Sequence, residues 1–234
     1  MNKVEVCLTP ELIHQFELKG KIAVVVDIFR ATSCMVAGMG TGVNAIHPVA
    51  EVNECFEKGK SGRIMAGERG GIKVEGFDIG NSPFEYMCDM VKGKEIAVST
   101  TNGTQAIVKS EGADEILIGA FLNLSAIANY LKASNKDVVI HCAGWKGTVN
   151  LEDTLFAGAL IEVLLDNYQS HGDAALLASH VYQNSKHDLC AVAQTSAHAH
   201  RLASFGIEKD LTYCMQLDEF DIIPVCKNGI ISLK

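Results

Sequence analysis

The chain has 234 residues, 48% of them hydrophobic and 21% charged, with a formal net charge of −8. Such usage excludes a disordered or fibrous chain, and an acidic balance with no basic run to offset it argues against nucleic acid as a partner. The apolar runs are strand-sized and stop far short of the ~20 residues a membrane helix requires, so no membrane partner is expected.

In chain order, alternation and short apolar runs predict strands near Lys3–Leu8, Ile22–Ile28, Val43–Pro48, Arg63–Gly67, Glu95–Ser99, Glu115–Gly119 and Val138–Cys142. Helix-length stretches at 31–39, 50–60, 82–91, 103–111 and 123–134 lie between most of them. This alternation predicts an α/β fold with a largely parallel sheet and flanking helices. Helices predicted over 153–167, 174–183 and 188–205 make the C-terminal third helix-rich, and short apolar runs follow near Ile222–Val225 and Gly229–Leu233. With only four prolines and no flexible linker, residues 1–234 read as one compact unit; two intimately packed lobes with a boundary near 120–136 stay open, as does self-association into a homo-oligomer. Met1 to Val6 lacks the apolar stretch of a secretory signal, which predicts a cytoplasmic protein. Eight dispersed cysteines without a Cys-x-x-Cys pair read as buried free thiols.

Three of the strands run into a loop of acidic, hydroxyl or glycine residues and then a helix, the arrangement by which open α/β sheets bind anions. After Val26, Asp27 is placed to hold a divalent cation, Arg30 to grip two phosphate oxygens in its planar fork, and Thr32 and Ser33 to take others. A helix cap with a surface ion pair is the plainer alternative. A haloacid-dehalogenase-type phosphatase also starts with a strand ending in aspartate, but it needs a second acid two residues later, where Phe29 stands.

In Gly67-Glu68-Arg69-Gly70-Gly71, Glu68 is a candidate metal ligand and Arg69 a candidate clamp on an anion, against a polar turn with a solvated ion pair. Ser82 and Pro83 suit a helix start, which leaves Asp78 and Asn81 as further site candidates. Thr101, Asn102, Gly103 and Thr104 follow a buried strand and resemble a phosphate cradle in design, without the spacing or lysine of a P-loop. Glu152 and Asp153 open an apolar helix, either as a first turn favoured by the helix dipole or as metal ligands and a base that orients water. His198 and His200 sit two apart on different helix faces, unlike a zinc-binding pair, and His141 reads either as a core residue or as one that supports the site from behind. Trp145 and Lys146, in the loop before Glu152, read as a cover over substrate or as plain surface.

Taken together, Val26-Asp27-Ile28-Phe29-Arg30-Ala31-Thr32-Ser33, Gly67-Glu68-Arg69-Gly70-Gly71, Gly76-Phe77-Asp78-Ile79-Gly80-Asn81-Ser82-Pro83 and Thr100-Thr101-Asn102-Gly103-Thr104 resemble the 2-phosphosulfolactate phosphatase family. Cys142-Ala143-Gly144 and Glu152-Asp153-Thr154 extend the resemblance into the C-terminal half. It implies an α/β, Mg²⁺-dependent phosphomonoesterase that converts 2-phospho-3-sulfolactate to 3-sulfolactate and phosphate, a step associated with coenzyme M synthesis. It also implies phosphate and metal roles for Asp27, Arg30, Glu68, Arg69, Asp78, Asn81, Asn102, Gly103 and Asp153.

The resulting expectation has Asp27, Glu68 and Asp153 as catalytic residues. Arg30, Arg69, Asn81, Ser82, Thr101, Asn102, Gly103 and Thr104 are expected to bind a small anionic phosphomonoester, and Asp27, Glu68, Asp78, Glu152 and Asp153 to supply ligands for Mg²⁺. Two other readings stand beside it: a non-catalytic protein that binds phosphorylated metabolites, and a hydrolase of another small acidic phosphomonoester.

Overall fold

Residues Met1 to Lys234 are all described by the computed structural model. The chain opens with β1 (Asn2–Cys7), a 3-10 turn at Pro10–Gln15 and β2 (Ile22–Val26), followed by α1 (Ala31–Gly40), β3 (Ala45–Pro48) and α2 (Val52–Gly59). Next come β4 (Ile64–Arg69), β5 (Ile72–Lys73), the single-turn α3 (Pro83–Tyr86), β6 (Glu95–Ser99) and α4 (Gly103–Lys109). They lead into β7 (Glu115–Gly119), α5 (Leu124–Ser134), β8 (Val138–Cys142), α6 (Leu151–Leu164) and β9 (Tyr168–Ser170). Four helices follow, α7 (Asp173–Ser185), α8 (Leu189–Gln194), α9 (Ala197–Ala203) and α10 (Glu208–Cys214), before β10 (Pro224–Lys227) and β11 (Ile230–Leu233).

All the strands join one sheet in the order β5-β4-β6-β3-β11-β10-β7-β2-β8-β1-β9. Within β4-β6-β3 and within β7-β2-β8-β1-β9 every pairing is parallel. The terminal β10–β11 hairpin is wedged between these two halves, antiparallel to β7 on one side and to β3 on the other. The two parallel halves therefore run in opposite senses across the hairpin. Twist of about 20–25° per strand accumulates to roughly 120–150° over the steps from β4 to β2, which lets loops from both halves meet.

The central strands are apolar on both faces, as strands covered by helices must be: Ile22 to Val26 and Val138 to Ile140 are fully buried. Helices α1 and α6 are buried almost all round and occupy the interior, not the rim. Residues 120–136, the candidate lobe boundary, form a 3-10 turn and α5 between β7 and β8, the two strands that flank β2. The helix expected over 188–205 is broken in two. Asp188 accepts a hydrogen bond from Ala191 N (3.1 Å) and Ser196 one from Ala199 N (2.9 Å), so each starts its own helix. Strand β9 and helix α10 lie outside the predicted elements. All eight cysteines are free thiols, six of them buried. No helix is long and apolar enough to cross a membrane.

Candidate active site

The loop after β2 is built around Asp27. Its backbone N–H donates to Thr32 Oγ1 (2.9 Å) and its backbone carbonyl accepts from Thr32 N (3.0 Å), while Ser33 Oγ donates to the carbonyl of Ile28 (2.9 Å). Thr32 and Ser33 thus spend their hydroxyls on holding the loop. The Asp27 carboxylate is 6% exposed and receives one long bond, from Ala31 N at 3.4 Å. Gly103, at the start of α4, packs directly against it. A Cβ there would lie 2.7 Å from Ala31 Cβ and 2.8 Å from Asp27 Oδ2, so only glycine lets α4 approach.

Asp27 and Arg30 line a tight cavity together with Glu68 and Gly71 from the β4–β5 turn, Asn81 ahead of α3, Thr101 after β6, Trp145, and His198, Arg201 and Leu202 on α9. Loops from both parallel halves of the sheet thus converge here with α9. In a larger depression beside the Pro10–Gln15 turn the charged side chains Glu11, Glu17 and Lys19 are exposed, and its Lys109 is paired with Glu11 at 3.5 Å.

Each charged group of the cavity has a distinct arrangement of partners. Arg30 Nη1 pairs with Asp210 of α10, and Ser82 Oγ donates to the other oxygen of that carboxylate at 3.1 Å. Glu68 accepts Thr101 N on Oε1 (2.8 Å) and Gly71 N on Oε2 (2.6 Å). His198 Nδ1 lies 2.6 Å from Glu152 Oε1 and 3.0 Å from the Asn150 amide, which leaves Nε2 without a protein partner. Asn81 Oδ1 and Glu152 Oε2 are buried and unpartnered. Arg201 Nη1 donates to the carbonyl of Gly70 (3.1 Å), and its guanidinium lies 4.6 Å from the centre of the Trp145 ring.

Burial dominates the electrostatics. It pushes the Asp27 pKa up to about 6, with nearby His198 opposing the rise and Glu68 and Glu152 adding to it. Asp153 is raised well above the usual carboxylate range, first by burial and then by Glu152 and Asp27, although two backbone amides resist the shift. Burial also lowers the pKa of Arg201, against the pull of Glu68. Such a cluster of acids is short of positive charge. The oxygens of Asp27 and Glu68 and the orphaned Asn81 Oδ1 are the donors it offers to a hard cation. No three carboxylate, histidine or cysteine side chains converge into a closed metal cage.

A sequence model of the family described as 2-phosphosulpholactate phosphatase matches residues 7–229. The chain belongs to that family. A protein of Caldanaerobacter subterraneus subsp. tengcongensis called probable 2-phosphosulfolactate phosphatase is 41% identical over 224 residues, 94% of this chain and 93% of the relative. Proteins with the same name from Thermotoga maritima (41% over 214 residues, 92% of each chain) and Clostridium acetobutylicum (38% over 234 residues, 98% of this chain and 99% of the relative) are similar over most of their length.

In this member of the 2-phosphosulfolactate phosphatase family, the cavity gathers Asp27, Arg30, Glu68, Asn81 and Thr101 of the expected site. Other expected residues stand elsewhere. Arg69 turns outward from β4, and its guanidinium donates to Ser99 Oγ (2.8 Å), Ser99 O (3.1 Å) and Ala50 O (3.3 Å). Asp78 is exposed and accepts from Met65 N at 2.7 Å, which secures the start of β4. Asp153 accepts Ile28 N (2.9 Å) and Gly144 N (3.0 Å), tying the loop after β2 to the loop after β8. Glu152 contacts His198 from behind, and Ser82 acts on Arg30 through Asp210. Asn102 Oδ1 accepts Lys146 N (3.2 Å), and Thr104 bonds back to Thr100, so the expected phosphate cradle has spent much of its polar capacity internally. His141 is fully buried; Ser110 contacts it at 2.8 Å, and burial lowers its pKa to about 4.

Sequence reasoning passed over His198, Arg201 and Asp210. A signal for the first two was present, because His198, Arg201 and Leu202 fall at i, i+3 and i+4 on one helix face, the face turned to the cavity.

Proposed function

We propose that the protein hydrolyses a small acidic phosphomonoester with the aid of Mg²⁺, and that its substrate is 2-phospho-3-sulfolactate, which would yield 3-sulfolactate and phosphate. The carrying observation is the meeting of the buried Asp27 and Glu68 with Arg30 in one cavity. Family membership and the shared name of the relatives support the substrate.

Arg30 keeps Nε and Nη2 free of protein acceptors, because Asp210 engages Nη1 alone, so it can grip phosphoryl oxygens while remaining fixed. Asp27, Glu68 and Asn81 Oδ1 would hold Mg²⁺, an ion that takes one or two carboxylates and keeps its remaining positions for water and substrate. Bound there, the metal would offset negative charge on the phosphoryl oxygens. His198 is the group best placed to move a proton. Glu152 holds Nδ1 and leaves Nε2 to accept a proton from an attacking water or to donate one to the leaving alkoxide. Asp153 is not among the residues that line the cavity and bonds the backbone of the loops after β2 and β8, which favours His198 over it for that role.

The test is phosphate release from 2-phospho-3-sulfolactate by chelator-treated protein before and after Mg²⁺ is added back. Release that returns with Mg²⁺ is the expected result. Tight binding without release would instead identify a phosphometabolite-binding protein, and full turnover in excess chelator would remove the metal from the mechanism.

A further inference from the structure

The two arginines of the cavity differ in depth and in partnership. Arg30 is 5% exposed and carries a carboxylate counter-ion, Asp210. Arg201 is partly exposed and has no carboxylate within ion-pair distance, although it lines the same cavity. Its Nη1 is spent on the carbonyl of Gly70. Its Nε is buried with no acceptor at all, and Nη2 has none within the protein. The Nε–Nη2 edge is one of the sides on which a guanidinium takes two oxygens of an anion in parallel, and here that edge is left open.

The guanidinium is also held in place. It lies over the Trp145 ring at 4.6 Å, and the Lys146 ammonium stands 4.9 Å from the centre of the same ring. A stacked cation of this kind loses little further freedom when it binds an anion. An orphaned donor on a preset guanidinium indicates a missing acceptor, and the protein supplies none.

We propose that Arg201, seated on Trp145, binds one of the two acidic groups of the substrate that are not transferred, the sulfonate of 2-phospho-3-sulfolactate. This rests on the phosphomonoesterase reading above. In that molecule the phosphate ester and the carboxylate share one carbon, whereas the sulfonate is carried on the next. With the phosphate held deep beside Asp27 and Arg30, the sulfonate is the group that reaches furthest towards Arg201. Its three weakly basic oxygens also suit a guanidinium, which is itself weakly hydrated and makes planar, paired contacts. Arg201 is thereby a specificity-determining residue, separate from the groups that handle the phosphoryl oxygens.

The experiment compares kcat/KM for 2-phospho-3-sulfolactate and 2-phospholactate in the wild type, Arg201→Met and Arg201→Lys, with folding checked by circular dichroism and Tm. Methionine keeps an apolar side chain beside Trp145, and lysine keeps the charge without the fork. The ratio of the two kcat/KM values should fall about 10- to 100-fold in Arg201→Met and by less in Arg201→Lys. A ratio equal to that of the wild type in both variants, or an equal fall for both substrates, overturns the assignment while leaving the phosphatase reading intact. If the wild type releases phosphate from neither compound, the phosphatase reading fails, and calorimetric binding of 3-sulfolactate and lactate decides the inference. Preference for 3-sulfolactate that is lost in Arg201→Met upholds the anion site. Absence of that preference in the wild type overturns it.

Discussion

Glu68-Arg69 at the end of β4 and Glu152-Asp153 at the start of α6 are both neighbouring charged pairs near the same cavity, yet the fold uses them differently. On β4, side chains alternate between faces, so Glu68 enters the cavity while Arg69 leaves it and secures Ser99 and Ala50. On α6, the first turn is enclosed on every side, and both carboxylates remain inside, at 0% and 1% exposure. There Glu152 orients His198, and Asp153 clamps two loops together. A strand end separates a pair into one site residue and one structural residue, whereas a buried helix start can place both behind the site. Charge and adjacency in the sequence do not distinguish these outcomes.

The largest expected effect sharpens that contrast. Asp27→Asn should lower kcat/KM by about 10²–10³-fold, because it removes a charged oxygen from the proposed Mg²⁺ ligand set and with it the cation that would offset negative charge on the phosphoryl oxygens. Its stability should move the opposite way. In metal-free protein, folded Asp27 titrates at about 6 against an ordinary value of 3.8. Its contribution to stability is therefore fully present below pH 3.8 and lost as the pH rises through 6, by roughly 3 kcal/mol in all. Denaturant titrations from pH 4 to 7 should show metal-free Asp27→Asn gaining on the wild type across that window. A constant difference would mean that Asp27 is not strained by burial.

Asp153→Ala tests the other arm. Two backbone N–H groups would lose their acceptors, so unfolding should become easier by about 2 kcal/mol or more, with Mg²⁺ affinity reduced only through loosening of the loops. An unchanged denaturation midpoint together with loss of Mg²⁺ binding would return Asp153 to the metal site and break the comparison. A smaller effect separates the arginines. Arg30→Lys should cost about 10- to 100-fold in kcat/KM through loss of the fork, whereas Arg69→Lys should lower Tm by a few degrees and leave the kinetic constants within about threefold of wild type. Equal kinetic losses in the two would show that Arg69 turns towards substrate during catalysis.

Much of the fold was legible because it is written locally. Seven of the strands carry a clear pattern, and Asp27 stands where an apolar run ends, so its place at a strand's carboxyl end followed directly. The β10–β11 hairpin shows the limit of that reading. Its two apolar runs predict extended structure but say nothing of their neighbours, and only the whole sheet reveals that they join its two parallel halves. The site divides in the same way. Asp27, Arg30, Glu68, Asn81 and Thr101 announce themselves by following or preceding regular elements, while His198, Arg201 and Asp210 come from short helices far along the chain. Arg30 and Asp210 are 180 positions apart, and no local pattern links them.

The central claim is that a hard cation belongs to the cavity side of this arrangement, with Asp27, and not to the exposed Asp78 or the loop clamp Asp153. Calorimetric titration of Mg²⁺ into chelator-stripped wild type, Asp27→Asn and Asp78→Asn tests it most directly. The account predicts one site in the wild type, retained in Asp78→Asn and weakened at least tenfold in Asp27→Asn. Equal Mg²⁺ binding by Asp27→Asn and the wild type, or no binding by any of the three, would contradict it.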